Sequence, residues 1–298
     1  MRGWIVYNAF LGEKFSEQVA QLIAAMKKAG CELIPKRNTE LMYIVGSGGM
    51  RLLGAEPLPE LVLFWDKDIR LAQALESMGL RLFNSSRAIE LCDDKSLTHF
   101  ELQKAGIPMP DTIIVPKTFE GVGYGSLDFL AGAAEALGFP MVVKEWFGSF
   151  GQQVYLAENM EQLCGLVRRT SPRPLLLQRM VTESRGEDVR INVVGGKVAA
   201  AMRRRAKAGD FRSNVSNGGT AEAYEPDDEQ KALAIRCCEL LGLDFGGVDI
   251  LFGRDGPIVC EVNSNAHMKN IRAATGIDVA ECIAEHIVTT MSGGRRTL

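Results

Sequence analysis

Toward the carboxyl end of the chain, Pro257 to Asn265 reads PIVCEVNSN. It starts as a buried strand and then places Glu261 and Asn263 two residues apart. Alternate residues of a strand share a face, so a carboxylate and a carboxamide point the same way. A second apolar run, GGVDILF, lies upstream, and Gly253 to Gly256 (GRDG) separates the two. A short Gly/Asp turn between apolar runs signals a hairpin. Centred on Asp255, that hairpin sets Asp249 opposite Glu261 and Gly247 opposite Asn263. Directly opposed residues bring their β-carbons to about 4.5–5.5 Å. Two carboxylates so placed repel, and an unpaired charge in an apolar strand is costly. A divalent cation removes both penalties. Asp, Glu and Asn are hard oxygen donors, which favours magnesium, or manganese, over zinc. Magnesium completes its shell with water and phosphates, so the trio implies a polyphosphate nucleotide. The competing reading is an acidic, solvated sheet edge. A register slip of one residue would move one carboxylate to the other face.

Phosphates need cations and backbone donors. Lys144 ends the apolar strand of FPMVVKEWFGSFGQQV, and Gly148, Ser149 and Gly151 follow in a short loop whose amides can fold over a phosphate. No GKS or GKT follows, so this is not a Walker A loop. Lys95, in DDKSLTHFELQ at the start of a helix, is a second candidate; alone it reads as a solvated first-turn lysine. PLLLQRMV turns polar at Gln178, and the backbone of Arg179 and Met180 offers the donor and acceptor that an adenine slot needs. Asp188 and Arg190 again stand two apart on a strand. The run Arg203 to Arg205 by itself reads as a solvated basic face. If Arg190, Arg203, Arg212 and Asn214 face the metal hairpin together, they form a pocket for anionic substrate oxygens.

The elements that must position these groups are legible in outline. Five amphipathic stretches end in a glycine followed by an apolar residue: Gly30, Gly79, Gly106, Gly138 and Gly242. Glycine just past a helix takes the left-handed conformation, and the next apolar residue packs back. Asp227, with Gln230 three residues on, predicts an N-cap and capping box. Between the helices lie ten short β-rich runs, from WIVY to PIVCEV. Strands alternate with helices early in the chain, which predicts an open α/β unit; later strands follow closely, which predicts antiparallel sheet. The fold class is therefore mixed α/β. A chain of 298 residues has room for two or three subdomains. A net charge of −3 and 46% apolar residues supply no argument for nucleic acid or membrane, and no apolar run reaches the roughly 20 residues a bilayer span needs. The amino terminus lacks a signal-peptide pattern and reads as a first strand, Trp4 to Tyr7. The seven cysteines show no metal spacing and read as reduced core thiols of a cytoplasmic protein.

Taken in order, DDKSLTHFELQKAGIPMP, FPMVVKEWFGSFGQQV, GEDVRINVVGGKVAAAM, GDFRSNVSNGG, GGVDILF and EVNSN resemble the ATP-grasp ligases, and among them the RimK-type α-L-glutamate ligases, over Asn84 to His286. The resemblance implies an ATP-grasp fold with α+β lobes behind an open α/β pre-ATP-grasp domain. The expected boundaries are 1–92 for that domain, 93–174 for the small lobe with the phosphate loop, and 175–298 for the large lobe with the metal site. It implies that ATP phosphorylates a carboxylate, that an amine attacks the acyl phosphate, and that an amide forms, with glutamate as the incoming amino acid. Carried over by motif, Asp249, Glu261 and Asn263 hold magnesium, two ions in all. Lys95, Lys144, Ser149 and Gly151 contact the phosphates. Gln178, Arg179 and Met180 lie at the adenine hinge, and Asp188 and Arg203 border the nucleotide. Arg190, Arg212 and Asn214 approach the acyl phosphate. The expected partners are a small-molecule or peptide carboxylate acceptor and an amino acid, in a homo-oligomer.

Two departures stand out. The family's phosphate loop is usually richer in glycine, whereas Phe150, Gln152 and Gln153 occupy much of it here. After EVN the family often runs on with a small residue, proline and glycine; here SNAHMKN follows, which makes His267 or Lys269 a candidate substrate contact, against the alternative of a surface-loop histidine. LFWDKDIR places Asp66, Asp68 and Arg70 where open α/β sheets bind ligands, a site for the acceptor. The competing functions are the same chemistry with another amino acid or acceptor, a silent nucleotide-binding regulator, and a kinase that stops at phosphoryl transfer.

Overall fold

The computed structural model describes residues 1–54, 57–149, 151–215 and 218–293. The first unit builds β1 (Arg2–Tyr7), α1 (Glu13–Lys28), β2 (Glu32–Arg37), the hairpin β3 (Tyr43–Gly46) and β4 (Gly49–Leu52), β5 (Leu61–Trp65), α2 (Ile69–Ser77) and β6 (Leu82–Phe83). Its sheet is parallel, in the order β2-β1-β5-β6. Alternation divides the strands between two cores. Trp4, Val6, Val62 and Phe64 pack with Leu71 and Leu75 of α2, while Ile5, Leu61 and Leu63 pack with Leu22 and Met26 of α1. Two helices follow, α3 (Ser86–Asp93) and α4 (Lys95–Lys104). Asp94 starts α4 by accepting from the Ser96 and Leu97 amides at 2.8 and 3.2 Å.

The second unit is β7 (Thr112–Ile114), α5 (Leu130–Leu137), β8 (Met141–Glu145), β9 (Val154–Ala157), α6 (Met160–Thr170) and β10 (Leu175–Arg179), with strand order β7-β10-β8-β9. β10, expected in the large lobe, pairs with both β7 and β8 and so belongs to this smaller sheet. Met141, Val143, Leu175 and Leu177 face a core with α5 and α6. Their alternates, Val142, Lys144, Leu176 and Gln178, face the other way, because Gln178 opposes Val142 and Leu176 opposes Lys144.

The third unit holds β11 (Glu187–Val194), β12 (Lys197–Arg205), β13 (Thr220–Ala223), α7 (Asp228–Leu240), β14 (Phe245–Gly253), β15 (Gly256–Asn263), α8 (Lys269–Thr275) and α9 (Val279–Gly293). The sheet is antiparallel, β13-β12-β11-β14-β15. Val189, Ile191, Val248, Ile250 and Val262 bury one face against Leu233, Ala234 and Cys237 of α7. α7 begins with the expected Asp227 and Gln230 capping box. α9 turns back onto the first unit, where Ile283 and Ile287 share a core with α1. All five predicted helix-ending glycines have positive φ, between 68° and 88°. The seven cysteines are free; burial pushes the Cys237 thiol up to about 12. No helix among the described residues is long and apolar enough to cross a membrane.

Candidate active site

The site is built on the β14–β15 hairpin. Gly253 pairs with Gly256 across a two-residue turn, and Ile250 pairs with Val259. The register then shifts, so that Asp249 opposes Glu261 and Gly247 opposes Asn263; these are the expected pairs, reached through a bulge and not through the expected turn centred on Asp255. Cys260 is the extra residue, a β-bulge. Continued without it, the register from the turn would set Asp249 against Cys260 and turn Glu261 to the α7 face. Gly247 has its own steric reason: a Cβ there would lie 2.6 Å from Ala266 Cβ.

Asp249 is 4% exposed and has cations of its own. Arg190 lies opposite it on β11 and donates from Nε and Nη2, each at 2.6 Å. Arg204 adds Nη2 at 3.0 Å and grips Asp188 through Nε and Nη2 at 2.7 and 2.5 Å. Burial raises the Asp249 carboxyl, but the two guanidiniums outweigh it and hold the group below the usual carboxylate range. The same carboxylates overcome the burial of Arg204 and raise its pKa. The expected repulsion between opposed carboxylates is thus already met by this chain's guanidiniums, so charge balance alone does not require a metal. The donor set nevertheless suits magnesium. Asp249 Oδ1 accepts only from Arg190 Nε among the described residues, the Glu261 side chain is 29% exposed, and Asn263 shares the strand face of Glu261, where its carboxamide oxygen is the atom that can ligate.

The smaller sheet supplies the opposite wall. Lys144 Nζ lies 3.7 Å from Cys260 Sγ. Lys95 Nζ lies 3.6 Å from Glu261 Oε1 and donates to Gly148 O at 3.1 Å. Both predicted lysines are buried, Lys95 to 7% and Lys144 to 6% exposure, and both converge on the hairpin's acidic end. In the loop, Gly151 has φ +69°, and a Cβ would lie 2.7 Å from Asn214 Oδ1. Arg212 Nη1 donates to Gly151 O at 3.0 Å while Asp210 holds its Nε and Nη2 at 3.0 Å each. Arg212 and Asn214 therefore close over the glycine loop. Gln153 Oε1 accepts from the Ser149 amide at 3.2 Å, which occupies an N–H that a phosphate would use. Lys67, from the first unit, reaches Ser149 Oγ at 3.4 Å and Asp93 at 2.6 Å. Phe150 lies outside the described residues.

Other expectations need correction. Arg203 opposes Val189, whereas Arg204 opposes Asp188, so Arg203 sits on the far face of the sheet. There it pairs with Glu187 and lies 5.1 Å from the Phe252 ring. The expected pocket of Arg190, Arg203, Arg212 and Asn214 loses Arg203. Asp188 gives both oxygens to Arg204 rather than presenting a free carboxylate. The Arg179 side chain turns from the cleft to Asp111 and the carbonyls of Ala136 and Leu137, which leaves only its backbone, with half-buried Met180 next in the chain, for the expected hinge. Asp68 caps α2 through the Leu71 amide at 3.1 Å, and Arg70 bonds its helix neighbour Gln73 at 2.7 Å. Asp66 faces Asn8 and the Lys67 amide, and burial raises its pKa. The SNAHMKN segment forms the seam to the first unit: Asn265 donates to Asp66 O at 3.1 Å, His267 meets Gln18 at 2.8 Å, and Lys269 meets Glu17 at 3.1 Å. Residue type and spacing do not mark Arg204, Lys67 or His99, which bonds to Gln178, and they mark Gln153 only as a departure in the loop, without its hold on the Ser149 amide. Arg204 was within reach of the strand period, but only the β11–β12 register separates it from Arg203.

A family model for a RimK-like ATP-grasp domain matches residues 92–287. Beta-citrylglutamate synthase B of Homo sapiens is 33% identical over 314 residues, covering 99% of this chain and 79% of that protein. A probable alpha-L-glutamate ligase of Thioalkalivibrio sulfidiphilus is 37% identical over 214 residues, covering 71% of this chain and 68% of that protein. Among solved structures, the ATP-grasp ligase PsnB, complexed with a phosphomimetic variant of its minimal precursor, Mg and ADP, shares the fold with a TM-score of 0.72. It is 19% identical and covers 97% of this chain and 98% of its own.

Proposed function

The chain belongs to the RimK-like ATP-grasp family and is an ATP-dependent ligase of an acid with an amino acid; from that premise we propose that it joins glutamate to a carboxylate acceptor in this cleft. The observation that carries the reading is the convergence of Lys95 and Lys144 on the Asp249–Glu261 hairpin. The acceptor carboxylate oxygen takes the γ-phosphoryl group of ATP and ADP leaves. The amine of glutamate then attacks the acyl carbon, the carbon–oxygen bond to phosphate breaks, and phosphate and a proton depart.

Each residue has a task in that sequence. Lys95 and Lys144 neutralise phosphate charge and fix the line of transfer, which matters more in phosphoryl transfer than a protein nucleophile. The backbone at Arg179 and Met180 borders the base. Arg212 and Asn214, closed over Gly151, keep water from the acyl phosphate and stabilise its oxyanion. Asp249, Glu261 and Asn263 would hold magnesium, as two ions, which when bound balances the polyphosphate charge. Arg190 then shares its hold on Asp249 with the substrate carboxylate it faces. The first unit and the SNAHMKN seam select the acceptor.

The test is ADP release in the presence of ATP, magnesium, glutamate and a panel of carboxylates, with mass spectrometry of the products. A mass gain of one glutamyl residue, dependent on both co-substrates, is the expected result. ADP release that needs no amino acid would replace the ligase reading with a kinase. A gain of a different residue would remove glutamate from the assignment.

A further inference from the structure

From the hydrogen bonds around Gln178 we infer that His99 is a positioning residue for nucleobase choice: it locks the Gln178 carboxamide so that only its carbonyl oxygen faces the base, which selects a 6-amino purine over a 6-oxo purine. The inference rests on the nucleotide assignment of the cleft and deepens it.

Two backbone carbonyls, which can only accept, set the direction of the bonds. His99 Nδ1 lies 2.7 Å from Lys95 O, so Nδ1 carries the proton. In neutral imidazole the other nitrogen then has a lone pair and accepts. His99 Nε2 lies 3.1 Å from Gln178, so the group that Gln178 turns to it is the donor, Nε2–H. At the other end, Thr112 Oγ1 donates its single proton to Pro110 O at 2.8 Å. Thr112 Oγ1 must therefore accept from Gln178 Nε2, which lies 3.0 Å away. Both amide protons of Gln178 are committed, one to each end of a relay whose direction is fixed by carbonyls. A flip of the carboxamide would point its oxygen at two acceptors and lose both bonds.

Gln178 is thus left with one function to offer, the acceptor Oε1, since both of its described side-chain bonds run through Nε2. The side chain shares the cleft-facing side of the smaller sheet with Lys144, because Gln178 opposes Val142 and Leu176 opposes Lys144. It stands one residue before the hinge backbone of Arg179 and Met180. An acceptor there gains a hydrogen bond from an exocyclic amine and meets repulsion from a carbonyl. Burial, aided by the charges of Lys144 and Lys95 against the opposing pull of the Lys95 carbonyl and Glu261, lowers the His99 pKa and keeps the ring neutral.

The test compares ADP with IDP, which differ at the purine 6-position, by calorimetric titration of the full chain with magnesium present. The unaltered protein should bind ADP more tightly than IDP. The double variant His99→Leu/Thr112→Val frees the carboxamide to turn, and the ADP-to-IDP preference should fall about tenfold, equivalent to about 1.4 kcal/mol. Adding Gln178→Glu, whose carboxylate accepts from either oxygen, should restore the preference without His99. A merely structural role for His99 would lower the affinity for both nucleotides and leave their ratio unchanged. An unchanged ratio in the double variant, with ADP still bound and the melting transition intact, overturns the relay and spares the nucleotide assignment. Failure of the unaltered protein to bind ADP at all overturns the assignment beneath it, and the inference with it.

Discussion

Arg190 holds both oxygens of Asp249, with Nε and Nη2 each 2.6 Å from the carboxylate. The pair lies directly across the β11–β14 ladder, and Arg204 joins it from the next strand. The carboxylate expected to bind metal is therefore also a structural counter-ion, and its replacement has two separable consequences.

Asp249→Asn should unfold more easily as well as lose turnover. It leaves Arg190 without its partner and strips one of two carboxylates from buried Arg204. Removing one member of a buried ion pair costs about 3–5 kcal/mol. Urea unfolding of the nucleotide-free protein measures this; a loss below about 1 kcal/mol would mean that the guanidiniums find other partners.

Glu261→Gln should separate the two effects. The Glu261 side chain is 29% exposed and its nearest cation, Lys95, is 3.6 Å away and keeps its bond to Gly148 O. Stability should change by less than about 1 kcal/mol, whereas ligase turnover should disappear. Near-normal ADP release from this variant would remove Glu261 from the metal site.

Arg212→Ala should lower turnover by about a hundredfold or more, the scale of a lost transition-state donor, with a much smaller change in ADP affinity. The residue reaches Gly151 O of the phosphate loop and is itself held by Asp210. Titration of ADP beside steady-state kinetics decides it; weakened nucleotide binding at unchanged turnover would contradict the role.

Gln153→Ala should tighten ATP binding. The Gln153 carbonyl oxygen occupies the Ser149 amide at 3.2 Å, and its removal frees that donor for phosphate. One net hydrogen bond, about 0.5–1.5 kcal/mol, corresponds to a gain of roughly 2- to 10-fold. Weaker binding would show instead that Gln153 braces the loop.

His99 should make stability fall with acid. Its folded pKa lies below the ordinary 6.5, mainly through burial. As pH drops past 6.5 the unfolded chain takes up the proton first, so stability that is full above this value declines as pH falls through the lower folded value. Melting temperatures of the protein and of His99→Leu, measured on either side of pH 6.5, should diverge less in acid than at neutral pH if the unaltered protein is the more stable one.

The sequence by itself determined the local elements and the chemistry of the hairpin. Capping needs only near neighbours, so Asp227 with Gln230 and the five glycines past helix ends were legible. Strand alternation needs only the period of the backbone, so Glu261 and Asn263 were correctly set on one face. The tertiary structure decided what depends on other strands. The pairing of Asp249 with Glu261 rests on the bulge at Cys260, and no local rule places a bulge at that residue. The cations that neutralise Asp249 come from β11 and β12, so the choice of Arg204 over its neighbour Arg203 follows from a register set far along the chain. The His99–Gln178–Thr112 relay likewise joins α4, β10 and β7, which only packing brings together. Side-chain type and spacing are local properties of a chain. Partners across a sheet or a cleft are fixed only when burial selects one register from several that local rules allow.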